Sequence, residues 1–322
     1  MKRAIITGIT GQDGAYLAKL LLEKGQEVIG VVRNRTSPNI KNLSFLGIRE
    51  KVQLVEGDLT QKRFVDDLLI NYLPDEVYNL AAQSSVGESF RRPIETVQFN
   101  TISVLNFLEC IREINRSNGK NIRFYQASSS EMYGVANTQP ITLASTIHPL
   151  SPYAISKAAA HWSTINYREA YEIFAVCGIL FNHESFLRRE NFFIKKLLRE
   201  SLQILKGQRG ELRVGNIDIK RDFGYGPKYV EAMWLMLQQK EPKDYLVCSG
   251  TSVSLRSVVE HVFERLKIPL TALVVDPNLY RPTEIEDIFG DNSATKKELG
   301  WSYEMSFFDA LDLLIEEERR NS

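Results

Sequence analysis

The stretch RAIITGITGQDGAYLAKLLLEKG, residues 3–25, constrains the fold more than any other. A short apolar run ends at glycine, and an amphipathic segment with helical spacing follows and stops at Gly25. That is a strand, a tight turn and a helix. Gly8, Gly11 and Gly14 lie three apart in the turn. Glycines there allow a close turn, and they let backbone amides at the helix N-terminus approach a pyrophosphate. A plain strand-to-helix turn also uses glycine; the position between a strand and a helix favours the dinucleotide reading.

The alternation continues. EVIGVV, VQLVEGD, EVYNLAA, IRFYQAS and IFAVCGILFN read as further strands. RFVDDLLINY, VQFNTISVLNFLECIREI and YAISKAAAHWSTINYREAY read as helices between them. Apolar strands alternating with amphipathic helices predict an α/β fold whose parallel sheet is covered on both faces. Right-handed crossovers make it a doubly wound, Rossmann-type sheet. After Asn182 the chain becomes charge-rich, as in RRENFFIKKLLRE, and its strands shorten. The expected organisation is a dinucleotide-binding domain over 1–182 and a smaller, mainly substrate-binding region over 183–322. Within the latter, 215–239 returns to the first domain through the helix YVEAMWLMLQQ.

Composition removes several classes of function. Lys plus Arg equals Asp plus Glu at 40 each, so no net field favours nucleic acid or an anionic membrane. Cys110, Cys177 and Cys248 lack metal spacing and sit in apolar contexts. They read as buried free thiols, which suits a reducing cytoplasm. No metal is expected. The apolar run at the N-terminus is too short for a signal peptide, and no run approaches the roughly 20 residues of a membrane span.

The second strand ends VVRNRT. An NAD site places Asp or Glu there for the ribose hydroxyls; Arg33 and Arg35 instead suit a 2′-phosphate, so NADP is the expected cofactor. Asp58, in GDLT, ends the third strand near the expected adenine. The small residues of NLAAQ, with Leu80, Ala81 and Ala82, allow the backbone to lie close to the cofactor.

Tyr153 and Lys157 in SPYAISK are four apart and share one helix face. A free tyrosine, with a pKa of about 10, is too weakly acidic to serve as a base at neutral pH. A nearby ammonium and a positive nicotinamide ring stabilise the phenolate. Tyr153 then takes a hydroxyl proton as hydride leaves for the nicotinamide, while Ser129, at the end of a Ser-rich strand, holds the same oxygen. Tyr125 and Met132 beside it read as packing.

These motifs bring the chain close to a known family. GITGQDGAYLAKLLLEKG, EVYNLAAQS, FYQASSSEMYG, SPYAISK, GILFNHES, RVGNIDIKRDFG and YRPTEIEDIFGD resemble the GDP-mannose 4,6-dehydratase family of extended short-chain dehydrogenases/reductases. The resemblance spans nearly the whole chain. It implies a reaction with no net redox change: NADP oxidises a hexose at C4, water is lost across C5 and C6, and the hydride returns to C6. It gives Glu131 the C5 proton, with Glu131 or Ser129 assisting the departing C6 hydroxyl. A carboxylate capping the next turn is the plainer reading of Glu131. The resemblance adds Gln12, Asp13 and Leu59 to the cofactor set. It assigns Ser84, Asn182, Glu184, Lys196, Arg221, Arg281 and Glu284 to the nucleotide sugar. For Lys196 a solvated helix face competes, and His183 reads as a packed or hydrogen-bonded histidine.

Some positions depart from the family pattern. Leu150 stands where arginine usually precedes SPY, Phe186 replaces the proline after NHES, and Arg189 replaces a glycine. A GDP-heptose is therefore an alternative substrate. A nucleotide-sugar 4-epimerase or 4-reductase is an alternative reaction, and Glu131 argues against it. A non-catalytic dinucleotide sensor would not need Ser129, Tyr153 and Lys157 together. RNRTSPNIKN, residues 33–42, resembles a loop that in this family reaches a neighbouring subunit's cofactor site, which implies a homodimer or homotetramer.

Overall fold

A computed structural model describes residues 1–36, 38–136 and 138–321. The first half builds a layered sheet from β1 (Arg3–Thr7), α1 (Gln12–Glu23), β2 (Glu27–Val32), α2 (Lys41–Phe45), β3 (Gln53–Glu56) and α3 (Lys62–Tyr72). It continues through β4 (Glu76–Asn79), α4 (Val86–Arg91), α5 (Pro93–Asn118), β5 (Arg123–Ser129), α6 (Pro152–Tyr171) and β6 (Ala175–Leu180). The second half contains β7 (Asn182–Glu184), α7 (Phe193–Leu205), β8 (Leu212–Val214), β9 (Lys220–Tyr225), α8 (Gly226–Gln238) and β10 (Tyr245–Val247). It ends with β11 (Ser252–Ser254), α9 (Leu255–Leu266), β12 (Leu273–Val275), α10 (Ser293–Leu299) and α11 (Phe307–Asn321).

Seven parallel strands form the main sheet in the order β10-β6-β5-β4-β1-β2-β3. The strand order reverses on either side of β1, so the carboxyl ends of β1 and β4 open a crevice. This is the doubly wound sheet expected from the alternating pattern. The seventh strand, β10, comes from the second half of the chain, and its three residues are too few to announce it in the sequence. Smaller sheets, β11-β9-β7 and β12-β8, lie beyond it.

Helix α8 lies against α1. It buries Tyr229, Val230, Met233, Met236 and Leu237 in the same apolar cluster as Leu17, Leu21 and Val28. Each such side chain contributes about 1.5–3 kcal/mol when buried. Closing a longer loop costs only about 0.6 kcal/mol per doubling of its length, so packing decides where the helix goes. A second apolar cluster joins α7, α9 and α11, with Leu198, Phe223, Val259, Phe263 and Leu311. Cys110, Cys177 and Cys248 are buried and unpaired. Among the described residues no helix is long and apolar enough to cross a membrane, and no His, Cys, Asp and Glu cluster can hold a metal.

Candidate active site

The glycine turn is shaped by backbone contact. Gly8 has φ +68°, and a Cβ there would lie 2.9 Å from the Ala81 nitrogen. At Gly14 a Cβ would fall 2.4 Å from the Gly8 oxygen and 2.6 Å from Ile9 Cα. Gly11 caps α1 with no side-chain hydrogen bond, which leaves the cap position itself to backbone. A glycine-lined backbone turn at the N-terminal end of a helix fits a dinucleotide pyrophosphate.

The segment after β4 is held against this turn by a polar row that the sequence did not announce. Thr7 Oγ1 donates to Asn79 Oδ1 at 2.7 Å, and Asn79 Nδ2 donates to Gln126 Oε1 at 2.8 Å. The same Thr7 oxygen accepts from the amides of Leu80 and Ala81, both at 3.0 Å. Thr7, Asn79 and Gln126 occupy matched positions on β1, β4 and β5. Their bonds fix the carboxyl ends of three strands, and with them Leu80 and Ala81. Only the sheet register brings these residues together, and composition gives no sign of it. Ala82 follows half-buried and Ser84 is exposed.

Arg33 leaves the end of β2 exposed, its guanidinium 5.8 Å from the Phe99 ring centre. Arg35 turns aside and donates to the Leu54 carbonyl at 2.8 Å. Asp58 closes a small turn by accepting from the amide and hydroxyl of Thr60, while Leu59 beside it is buried. Of the described part of residues 33–42, Asn42 donates to the Thr10 carbonyl at 2.9 Å. Ser37 in that segment lies outside the described residues.

Gln12, Asp13 and the NHES segment form one network. Gln12 donates to Asp13 Oδ1 and to the His183 carbonyl, and it accepts from Ser185 Oγ. His183 Nε2 is 2.9 Å from Asp13 Oδ1, and its Nδ1 is 2.7 Å from the Phe181 carbonyl. Both partners accept only, so both bonds require the doubly protonated imidazolium. Burial opposes that charge, but Asp13 outweighs burial and the His183 pKa is raised. Asp13 is held below its ordinary value, against burial, by His183. His183 also stacks on Tyr229 at 4.6 Å. It is the hydrogen-bonded, packed histidine expected from the sequence; its partner Asp13 was not legible there.

The end of β5 brings together the reactive groups. Ser129 and Tyr153 are both buried, and Glu131 is half-buried in the 3₁₀ turn Ser130–Tyr133. The Glu131 amide donates to Ser129 Oγ at 3.3 Å. Ser151 caps α6 by accepting from the Ala154 amide, which sets the first turn carrying Tyr153. Lys157 Nζ donates to the Ala127 carbonyl at 2.8 Å and lies 5.9 Å from the Tyr153 ring centre. Burial pushes the Tyr153 phenol up to about 12, against its hydrogen bond with Ser129. Burial also lowers Lys157 to about 8. The protein's own groups leave the phenol raised, and the lowering expected from the sequence draws on the nicotinamide ring as well as on Lys157. Desolvation of a buried phenolate outweighs the Ser129 hydrogen bond that favours it.

The second half reaches the same place. Arg221 on β9 is buried, and Glu131 lies close enough for its charge to act on Arg221, Tyr153 and Glu284. Arg221 Nη1 donates to the carbonyls of Lys220 and Ile285, and Nη2 sits 3.5 Å from Glu284 without a hydrogen bond. Arg281 Nη1 is 3.3 Å from the same carboxylate. Burial lowers the pKa of Arg221 and raises that of Glu284. Leu150 packs against the cluster of Met132, Tyr133 and Ile285, so an apolar side chain fills this place.

Other predicted residues lie differently. Asn182 is half-buried at the start of β7. Glu184 is buried 3.4 Å from Arg188, and burial raises its pKa. Lys196 donates to the Arg213 carbonyl on β8. Sequence reading also missed Asp222, beside Arg221. It is fully buried, accepts from the amides of Ser249, Gly250 and Gly290, and ties three segments together under the site. The KRDFG motif was its only signal.

Residues 5–313 match the family described as GDP-mannose 4,6 dehydratase. The chain belongs to the GDP-mannose 4,6-dehydratase family. It is 42% identical to GDP-mannose 4,6 dehydratase 1 of Arabidopsis thaliana over 98% of this chain and 90% of that one. It is 40% identical to the GDP-mannose 4,6-dehydratase of Vibrio cholerae over 95% and 90% of the two chains. Among solved structures, RMD from Pseudomonas aeruginosa complexed with NADPH superimposes with a TM-score of 0.81, at 25% identity, over the full length of both. Membership of this dehydratase family gives the Glu131 carboxylate beside Ser129 and Tyr153 a chemical context.

Proposed function

We propose that the chain is an NADP-dependent GDP-mannose 4,6-dehydratase, a hydro-lyase forming GDP-4-keto-6-deoxymannose. The observation that carries the reading is Glu131, whose amide bonds Ser129 Oγ and whose charge acts on both Tyr153 and the buried Arg221. The relatives named above support it, and NADPH in the related solved structure supports a nicotinamide cofactor. Arg33, free of any ion pair among the described residues, favours NADP over NAD.

The cofactor residues are Gly8, Gly11, Gln12, Asp13, Gly14, Arg33, Arg35, Asp58, Leu59 and Leu80 to Ala82. Bound NADP supplies the hydride acceptor for C4, the hydride donor for C6 and a positive ring that makes the Tyr153 phenolate accessible. Ser129 donates to the C4 oxygen while Tyr153 takes its proton. Lys157, fixed by the Ala127 carbonyl, stabilises the phenolate. Once C4 is a ketone the C5 proton is acidic, and Glu131 removes it. Glu131 then returns a proton to the C6 hydroxyl, which leaves as water; when the hydride returns to C6, C5 takes the proton that Tyr153 received from the C4 hydroxyl, and Tyr153 is restored. Arg221, with its Nη2 uncommitted, holds the diphosphate together with Asn182. Arg281 and Glu284 hold the nucleoside. The reading includes a cytoplasmic homo-oligomer; three buried free thiols support the compartment, and exposed Ile94, Ile155 and Trp162 on α5 and α6 support the assembly.

The test is incubation with GDP-mannose, following mass and NADPH absorbance together. Loss of one water without net NADPH change is expected. An isomer of unchanged mass indicates epimerisation, and a mass gain with NADPH consumed indicates reduction; either sinks the dehydratase reading. Product from a GDP-heptose alone moves the substrate and keeps the reaction.

A further inference from the structure

The helix that carries Tyr153 is entered through a strap, residues 148–151, that touches both halves of the site. Gly134, directly after the turn that carries Glu131, has φ +56°, and a Cβ there would lie 1.9 Å from the His148 carbonyl oxygen. The His148 amide donates to the Met132 carbonyl at 3.0 Å. The strap therefore lies directly on the Glu131 turn. At its other end Ser151 caps α6, and the Ser151 carbonyl accepts from the Ile155 amide at 2.9 Å, which opens the helical ladder. The Leu150 carbonyl stands one residue ahead of that ladder, so the helix offers it no partner.

Thr283 supplies the partner. Its Oγ1 donates to the Leu150 carbonyl at 2.8 Å. Thr283 stands between Arg281 and Glu284, whose side chains pair at 3.3 Å. Two residues further on, the Ile285 carbonyl accepts from Arg221 Nη1 at 2.6 Å. The Ile285 side chain is buried with Met132 and Tyr133 in the cluster on which Leu150 packs. Beyond it the carbonyls of Glu286 and Ile288 accept from the amides of Lys220 and Asp222. Residues 285–288 are thus fixed to β9. Residues 281–283 are exposed, and among the described residues the Thr283 hydroxyl is their hydrogen bond to the strap.

We propose that Thr283 is a positioning residue for the water-loss reaction: a nucleotide held by Arg281 and Glu284 orders residues 281–284, and the Thr283 hydroxyl passes that order through the Leu150 carbonyl to the first turn of α6 and to Tyr153. The relay rests on the nucleotide-sugar reading and adds a link to it. Binding energy from a non-reacting part of a substrate raises turnover when it places the reacting groups, and a misplacement of about 1 Å costs about 100-fold. The nucleoside is such a part. Thr283 acts through the strap, not on the reacting atoms.

The experiment compares the purified full-length chain with T283V, which keeps the shape and removes the hydroxyl, and T283S, which keeps the hydroxyl. Melting curves confirm that each variant folds. Amide hydrogen exchange over residues 148–156 is followed with and without saturating GDP. GDP is expected to slow exchange there in wild type and T283S and to leave it unchanged in T283V, while Kd for GDP stays within about twofold across all three. With GDP-mannose, kcat for water loss should fall about fivefold in T283V at little-changed KM, the effect of one ordinary hydrogen bond, and recover in T283S. A merely structural contact would lower melting temperature, GDP affinity and turnover together, which overturns the relay. Either wild-type kcat or full GDP protection in T283V also overturns it. GDP binding without protection of residues 148–156 in wild type overturns the relay and leaves the nucleotide reading intact. A wild-type chain that binds no GDP removes the nucleotide reading itself, and the relay falls with it.

Discussion

Gly8, Gly11 and Gly14 reach the site within one turn of chain, and they act through the side chains they lack. Glu131, Arg221, Arg281 and Glu284 come from distant segments and act through charge. The first region is specified by contiguous sequence and rigid backbone; the second exists only once β9 and the segment 281–284 are folded against the end of β5. Errors in the two regions should therefore have different signatures. A change on the glycine side should cost stability and cofactor together, and a change on the charge side should cost turnover or substrate affinity with the fold intact.

The largest effect should fall on the charge side. Glu131→Gln keeps the shape and removes the proton acceptor. Water loss should slow about 1000-fold, within the range for one acid–base group, while NADPH affinity and melting temperature stay near wild type. Dehydration at a near wild-type rate would assign the C5 proton to another group.

The glycine side gives the complementary test. Gly14→Ala places a methyl against the Gly8 carbonyl and Ile9 Cα, backbone atoms that cannot rotate away. We expect it to lower unfolding free energy by about 3 kcal/mol and to weaken cofactor binding in parallel. Gly87→Ala, in a short helix with no atom within 4 Å of the added methyl, should be neutral or slightly stabilising. Equal effects from the two alanines in denaturant titrations would remove the steric account of the turn.

Much of this division was legible before folding was considered. The glycine turn, the Tyr153–Lys157 spacing and the strand–helix alternation are local, and period and spacing display them. The Thr7–Asn79–Gln126 row, the Asp222 hub and the three-residue β10 depend on register and on contacts between distant segments. Arg35 shows a limit of motif reading. It stands in the expected place, yet its guanidinium is drawn to the Leu54 carbonyl on β3. Tyr153 shows a second limit: spacing located the phenol, but burial set its pKa.

The pair of half-buried Asp13 and buried His183 joins the two regions, and pH sharpens its role. The folded His183 pKa is raised, so its contribution is complete below the ordinary value of about 6.5 and is lost as pH rises through the folded one. Asp13 is held low, so its contribution is complete above about 3.9 and is lost as pH falls through its folded value. Asp13→Asn should therefore lower stability by about 2 kcal/mol near pH 5, with the gap to wild type closing as pH rises through the raised folded pKa of His183. A gap that does not change with pH in urea titrations would mean the histidine is neutral.

The smallest effect separates two arginines that share one carboxylate. Arg221 is buried with three fixed contacts, and Arg281 is 40% exposed with a single 3.3 Å pair to Glu284. Water screens the exposed pair, which limits its worth to about 0–1 kcal/mol. Arg281→Ala should accordingly raise KM for GDP-mannose about threefold with little change in kcat. Arg221→Lys keeps the charge but loses the planar fork, so it should raise KM further. If the exposed arginine proved the more costly of the two, the nucleoside rather than the diphosphate would anchor the substrate, and the charge side would be organised around residues 281–284 instead of β9.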